Sequence, residues 1–151
     1  MTNRREWLKK ARKALTDAEY LSHICNSFAR CNCEQGGILG FGSSPVFIRD
    51  ASPLFSGYSE YVPNIDYLNH VVHDWRQAGI RFCGFVHTHP NGEKSLSELD
   101  IDYAREILPH FHSSAIFMFV VAFSEDIKSI FCYLVTRNNI ESIGEGHFQI
   151  E

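Results

Sequence analysis

Residues 87–100 read HTHPNGEKSLSELD, and this stretch organises the rest of the chain. The apolar run before it, residues 80–86, predicts a β-strand that ends at the first histidine. Alternate side chains of an extended chain point to the same side, so His87 and His89 are expected to project together from the end of that strand. The sequence therefore predicts two imidazoles at one edge of a sheet.

A helix is predicted after this strand, over residues 97–108, with Pro109 as its stop. Ser97 and Asp100 are three positions apart, so they share a face of its first turn. Ser-x-x-Asp is also an ordinary helix-capping pattern, and alone it predicts no more than that. The partial positive charge at a helix N-terminus favours an ionised carboxylate, which suits Asp100 as a metal ligand.

Together, His87, His89 and Asp100 provide two imidazoles and one carboxylate, the ligand set of a catalytic zinc site with one position left open for water. A lone His-x-His is weak evidence, and residues 110–112 repeat it in a stretch that we interpret as solvent-facing loop. The combined string, with seven residues between the second histidine and the serine, is what favours a metal site.

Interleaved helical and strand patterns predict a mixed α/β fold. We expect one curved mixed β-sheet flanked by helices, with the zinc site at a strand end and a helix N-terminus. Besides the elements already named, the pattern predicts helices over residues 6–29 and 65–78 and strands over 38–41, 46–55, 115–123 and 130–136, of which 46–55 is interrupted at Pro53.

Three segments of the chain depart from a simple amphipathic pattern. The helical stretch 6–29 contains a capping-box pattern at 16–19, so it is either one helix or two. The strand 115–123 is apolar on both sides and is expected at the centre of the sheet. Residues 138–151 are weakly patterned and receive no assignment.

Length and charge limit the class of protein. We interpret residues 1–151 as a single domain, with 1–15 as an N-terminal helical extension. Lys plus Arg number 14 against 18 Asp plus Glu, and the net charge of −4 disfavours nucleic-acid binding. The longest apolar run is far shorter than the roughly 20 residues that span a bilayer. Five cysteines cannot all pair, and no signal peptide is visible, so we expect a cytoplasmic protein without a membrane partner.

A second metal site is the rival hypothesis for the N-terminal region. His23, Cys25, Cys31 and Cys33 are close in sequence and include residue types that bind structural zinc. However, two residues that are two positions apart on a helix point about 200° from each other. The spacing also lacks a C-x₂₋₄-C pair, so this hypothesis is the weaker one.

The 87–100 string, together with Glu34-x-Gly-Gly-x-Leu-Gly40 upstream, resembles the JAMM metalloproteases, which are the catalytically competent MPN domains. The family pattern is a glutamate, then His-Ser/Thr-His-Pro, then Ser-x-x-Asp after seven residues. The resemblance covers roughly residues 16–136. The proline often found just before the motif serine is Leu96 here, which alters the loop and not the chemistry.

The resemblance implies a role for each motif residue. His87, His89 and Asp100 would bind one Zn²⁺ per chain. Glu34 would hold the water at the zinc, take its proton and pass it to the leaving amine. Ser97 would donate its hydroxyl to the oxyanion of the tetrahedral intermediate.

The resemblance also implies an activity. Such domains cut after the C-terminal glycine of a ubiquitin-like protein, either to release it from a lysine or to process a precursor. The compact chain is similar to the prokaryotic stand-alone members, including deubiquitinase-like peptidases of bacterial antiphage operons, whose partners are activating and conjugating enzymes. The alternatives are a non-catalytic MPN scaffold in a protein complex and a DNA-repair-associated relative of the same fold.

The substrate tail is expected to lie in a narrow groove beside the metal. Phe55, Tyr58, Tyr61 and Val62, within residues 55–63, either form one wall of that groove or simply pack against the domain. The tail would add as a strand, which supplies backbone hydrogen bonds without reading side chains.

Overall fold

The structure, a computed structural model, describes residues 4–28, 32–58, 60–110, 115–123 and 127–149. Helices and strands interleave along this part of the chain, and a short 3₁₀ turn follows the last helix. In chain order the elements are α1 (Arg4–Ala14), α2 (Ala18–Ser27), β1 (Gly36–Phe41), β2 (Pro45–Arg49), β3 (Phe55–Ser56), β4 (Tyr61–Val62), α3 (Ile65–Gln77), β5 (Arg81–His89), α4 (Glu98–Ile107), β6 (Ala115–Phe123), β7 (Ile127–Thr136) and β8 (Ile140–Gln149).

One six-stranded sheet has the order β2-β1-β5-β6-β7-β8, and β3 and β4 form a separate two-stranded hairpin. Strands β5 and β6 run parallel, and the other neighbouring pairs of the sheet run antiparallel. Strand β6 lies inside the sheet and is buried along its whole length, so the prediction of a central strand is confirmed. The prediction of a mixed α/β fold with one mixed sheet flanked by helices is also confirmed.

Helices cover both faces of the sheet. Alternate residues of β6 therefore pack against helices on opposite faces. Phe117 and Phe119 pack with α1 and α2 in one apolar cluster, whereas Met118 packs with α3 and α4 in the other. Trp7 of α1 stacks on Phe117 with 5.9 Å between ring centroids, so α1 contributes to the core. Among the described residues, no helix is long and apolar enough to cross a membrane.

The helical segment predicted over residues 6–29 is broken into two helices, as the capping pattern allowed. The cap of α2 is Asp17, whose carboxylate accepts the backbone N–H of Tyr20 at 3.1 Å. Thr16, the serine/threonine-type position of the pattern, instead donates its hydroxyl to the carbonyl of Lys13 at 2.8 Å. The end of the predicted segment, residue 29, lies outside the described residues.

The strand predicted over residues 46–55, with its interruption at Pro53, is two short strands that belong to different sheets. Strand β2 ends before Asp50, and the chain then leaves the sheet through Pro53, which has no N–H for a sheet hydrogen bond. Phe55 pairs with Val62 in the β3–β4 hairpin instead. This turn away from the sheet creates a separate hairpin beside β1.

Two further boundaries differ from the prediction. Strand β5 runs through His89 instead of ending before His87, because the parallel neighbour β6 continues to pair with it, opposite Val120 and Ala122. Residues 140–149, whose weak pattern predicts no element, form the edge strand β8, which pairs antiparallel with β7. The backbone hydrogen bonds with β7, and not the weak sequence pattern of the segment, explain why it forms a strand.

Lys128 is a buried lysine that joins the sheet to α2. Its Nζ donates to the carbonyl of Cys25 at 2.9 Å, near the end of a helix whose last turn has no basic residue. It also lies over the ring of Phe123, 5.4 Å from the centroid. A cation at the C-terminal end of a helix is stabilising, and a hydrogen bond from a charged group is worth about 1.5–3 kcal/mol.

We expect Lys128→Met to lower the free energy of unfolding by about 1.5–3 kcal/mol, because the methionine keeps the apolar stem and removes the ammonium. Urea denaturation measures this change. The matched control is Lys13→Met on the exposed side of α1, which is expected to stay within about 0.5 kcal/mol of the wild type. Equal stability of the two variants would contradict the role of Lys128.

Candidate metal centre

The end of β5 and the start of α4 bring three metal-binding side chains together. Nε2 of His87 lies 3.2 Å from Oδ1 of Asp100, and Nε2 of His89 lies 3.4 Å from Oδ2 of the same carboxylate. One ligand atom from each of the three residues falls within 4.8 Å of the others. The two imidazole rings are stacked, with 5.7 Å between centroids and 15° between planes.

These distances suit a tetrahedral metal. Ligand atoms about 2.0–2.2 Å from a tetrahedral zinc lie roughly 3.3–3.6 Å from one another. The contact of His87 with Asp100 lacks hydrogen-bond geometry, so Nε2 of His87 is a buried nitrogen without a hydrogen-bond partner among the described residues. An unsatisfied buried polar group costs about 1–3 kcal/mol, which a metal bond at that nitrogen would remove.

The two histidines differ in protonation. Burial lowers the pKa of His87, which keeps the imidazole neutral and its lone pair available. Nδ1 of His89 lies 2.9 Å from the carbonyl of Glu93, and a proton on Nδ1 leaves the lone pair on Nε2. Burial by itself lowers the pKa of His89, but hydrogen bonds with Asp100 and Glu93 outweigh it and raise the pKa. The cluster therefore favours a positive charge beside the carboxylate.

Ser97 and Asp100 form the predicted helix cap, which connects the start of α4 to the cluster. The backbone N–H of Ser97 donates to Oδ2 of Asp100 at 2.9 Å, and the backbone N–H of Asp100 donates to Oγ of Ser97 at 3.1 Å. Burial works to raise the pKa of Asp100, yet the hydrogen bonds from His89 and Ser97 and the field of His87 hold that pKa well below its usual range. The capping box thus fixes an ionised carboxylate toward the histidines.

Glu34 lies on the loop before β1 and lines the same groove as His87 and Asp100. Its backbone is held from the β3–β4 hairpin: its N–H donates to the carbonyl of Gly57 at 2.7 Å, and Oγ of Ser56 donates to its carbonyl at 2.6 Å. Burial raises the pKa of Glu34 although the nearby His89 lowers it, and a raised pKa makes the carboxylate a better proton acceptor.

Thr88, between the two histidines, is the residue whose role the sequence did not indicate. It is fully buried, and its Oγ1 accepts the N–H of Gln35 at 2.9 Å while its own N–H donates to the carbonyl of Gln35 at 2.8 Å. Because Gln35 directly follows Glu34, these bonds fix the glutamate loop against the strand that carries the histidines. A loop and a strand that are far apart in sequence are thereby joined at the site.

A groove of about 300 Å³ opens beside the cluster. Of the wall predicted within residues 55–63, Tyr61 and Val62 line this groove, whereas Phe55 and Tyr58 are 51% and 63% exposed and do not. The lining combines the cluster residues with aromatic, aliphatic and acidic side chains: Glu34, Glu60, Tyr61, Val62, Pro63, Phe85, His87, Ser97, Leu99, Asp100, Asp102, Tyr103 and Glu106.

The rival N-terminal metal site gains no support. Cys31 lies outside the described residues, and burial raises the pKa of Cys25 to about 11, which disfavours the thiolate that binds zinc. Among the described residues, His87, His89 and Asp100 form the one group of three or more potential metal ligands. Of the second His-x-His, His112 also lies outside the described residues.

Comparison with known proteins gives a likeness of fold. No family model matches the chain, and no curated protein matches it. The solution structure of protein DSY2949 from Desulfitobacterium hafniense is similar, with a TM-score of 0.57 and 15% sequence identity over 89% of this chain and 85% of that chain. At this level of identity the likeness concerns the path of the backbone alone, and on that ground the chain shares its mixed α/β architecture with DSY2949.

Proposed function

We propose that this protein is a zinc-dependent peptidase of the JAMM type, with an MPN-like fold. The observation that carries the proposal is the convergence of the motif residues on one groove. Four of them, Glu34, His87, Ser97 and Asp100, line the groove. His89 lies beside it, in contact with the Asp100 carboxylate. All the chemical groups that the motif requires are therefore within one small volume.

His87, His89 and Asp100 would hold one Zn²⁺, with an open position toward the groove. A bound zinc ion lowers the pKa of water and polarises a carbonyl group. The protein supplies a neutral imidazole at His87, a fixed tautomer at His89 and an ionised carboxylate at Asp100. Zinc would displace the proton that the raised pKa of His89 favours, whereas the lowered pKa values of His87 and Asp100 already suit a metal ligand.

Glu34 would be the general base. Its raised pKa lets the carboxylate accept a proton from the attacking water and then, as the acid, donate that proton to the leaving amine. The Glu34 backbone donates to Gly57 and accepts from Ser56, and Thr88 bonds the backbone of the next residue, Gln35, so the loop is held without use of the Glu34 carboxylate.

Ser97 would stabilise the oxyanion. Its Oγ accepts the N–H of Asp100, and the hydroxyl proton remains available to donate to a developing negative charge. Because the same residue caps α4, its position is fixed by the start of that helix.

We expect Ser97→Ala to lose about 10²–10³-fold in turnover, the typical value of one oxyanion donor, and about 1 kcal/mol in stability as the cap is lost. Steady-state kinetics and thermal unfolding measure the two effects. Asp17→Ala, which removes the cap of α2 away from the groove, is the matched control for stability alone. Normal kinetics and normal stability of Ser97→Ala would contradict both roles.

The substrate that suits this groove is the C-terminal tail of a ubiquitin-like protein, cut after its terminal glycine. A small residue allows an extended tail to lie close to the metal cluster between Tyr61 and Ser97. The segment between β2 and α3 is short, which is consistent with a compact stand-alone peptidase of a bacterial ubiquitination-like pathway, acting in the cytoplasm on conjugates or precursors.

The test is a pair of fusions in which the last tail residue of a ubiquitin-like protein is glycine or leucine. We expect the zinc-loaded protein to cut the glycine fusion and to leave the leucine fusion intact, as measured by gel analysis and mass of the products. Equal cutting of both fusions, or comparable cutting of unfolded peptides, would indicate a general metallopeptidase.

A further inference from the structure

Asp50 is a buried carboxylate outside the metal cluster. It is 3% exposed and lies directly after β2. Its Oδ2 accepts the hydroxyl of Tyr61 at 2.7 Å and the backbone N–H of Asn64 at 2.8 Å, while its Oδ1 accepts the N–H of Ser52 at 3.2 Å. One side chain therefore connects the end of β2, the hairpin and the start of α3.

The Tyr61 ring lies between this carboxylate and the metal cluster. It is edge-on to the ring of His87, with 6.4 Å between centroids and 72° between planes. It also covers Gly36 so closely that a Cβ built there would lie 2.4 Å from its Cε1. Because Tyr61 lines the groove, its ring is the wall of the groove on the side of His87.

The hairpin that carries Tyr61 is too short to hold the ring in place by itself. Strands β3 and β4 have two residues each, and a two-stranded hairpin of that size is at best marginally stable by itself. The bond from Tyr61 to Asp50 joins the ring to the main body of the protein, so the ring cannot move aside without breaking a charged hydrogen bond. A fixed ring limits the size of the substrate side chain that can lie beside it, whereas a mobile ring would move aside for a larger side chain.

We infer that Tyr61 is the specificity-determining residue of the groove and that Asp50 is a positioning residue that acts through it. The Tyr61 ring limits the tail residue next to the metal cluster to glycine, and Asp50 keeps the ring in place. The inference rests on the proposed function and names the structural feature that selects the substrate.

The primary test measures binding and needs no turnover. Short peptides ending in Gly-Gly or Gly-Leu are titrated into the zinc-loaded protein and followed by NMR and calorimetry. We expect the wild type to bind the glycine peptide at least about tenfold more tightly, as steric discrimination in a pocket allows. In Tyr61→Ala the two dissociation constants are expected to converge, mainly through tighter binding of the leucine peptide.

Variants of Asp50 separate positioning from simple stability. Asp50→Ala removes the anchor and is expected to lose discrimination as Tyr61→Ala does, whereas Asp50→Asn keeps an oxygen for the Tyr61 hydroxyl and is expected to retain it. Should Asp50→Ala not fold, Tyr61→Phe removes the same hydrogen bond with the ring intact and is expected to give an intermediate ratio. A ratio that stays at the wild-type value in Tyr61→Ala, or equal weakening of both peptides in Asp50→Ala, overturns the inference.

The peptide-binding measurement can be interpreted whether or not the protein cuts the fusion. If the peptides show the expected ratio and the glycine fusion is not cut, the proposed hydrolysis is wrong and the size limit stands. If the glycine fusion is cut and Tyr61→Ala still excludes leucine, the peptidase assignment stands and the role of Tyr61 is wrong. Failure of the wild type to bind either peptide also overturns the role of Tyr61.

Discussion

The His89→Ala variant is expected to purify without stoichiometric zinc and to lose hydrolysis of the glycine fusion altogether. Three side chains meet at this point, and the loss of one leaves His87 and Asp100 as a two-ligand site, too few for the three-ligand arrangement of catalytic zinc. Elemental analysis of protein prepared without chelator measures the metal, with close to one equivalent expected for the wild type.

The matched control for this variant is His70→Ala, because His70 is an exposed histidine on α3 outside the cluster. It is expected to keep both zinc and activity. Retention of one equivalent of zinc by the double variant His87→Ala/His89→Ala would contradict the assignment of the metal centre.

Glu34→Gln is expected to keep its zinc and its fold while turnover falls by about 10²–10⁴-fold, the usual contribution of a general base. The amide has nearly the same shape as the carboxylate but cannot accept the proton. Single-turnover kinetics on the glycine fusion measure the rate, and elemental analysis shows that the metal is still bound.

Glu106→Gln provides the control for charge, since Glu106 lines the same groove and is not part of the proposed proton path. It removes one negative charge from the groove and is expected to leave turnover close to that of the wild type. A Glu34→Gln variant as active as Glu106→Gln would show that Glu34 is not the base.

The sequence was sufficient for the parts of the site that depend on local spacing. The alternation of a strand places His87 and His89 on one side, and the first turn of a helix aims Asp100 at them; the structure brings the three together as predicted. Glu34 was assigned through the family resemblance alone. Nothing in its local pattern indicates that Thr88 and the hairpin would hold its loop beside the histidines.

The parts that the sequence did not reveal depend on contacts between distant segments. Strand β8 forms because β7 offers it an edge, and β5 extends through His89 because β6 continues beside it. Asp50 resembles any acidic loop residue in the sequence, and only the fold shows that it faces Tyr61. Tertiary hydrogen bonds of this kind leave no periodic pattern in a single chain.

Strand β5 and helix α4, which carry the cluster residues, differ in the free energy needed to unfold them locally. His87 lies where β5 is paired on both sides, and His89 is paired with β6; interior strands of this kind open only at a free energy near that of global unfolding. Asp100 lies in the first turn of α4, where helix ends fray at much lower cost. Escape of a bound ion would therefore begin with fraying of that turn, and the Ser97 cap, by slowing this fraying, would set the lifetime of the metal in the protein.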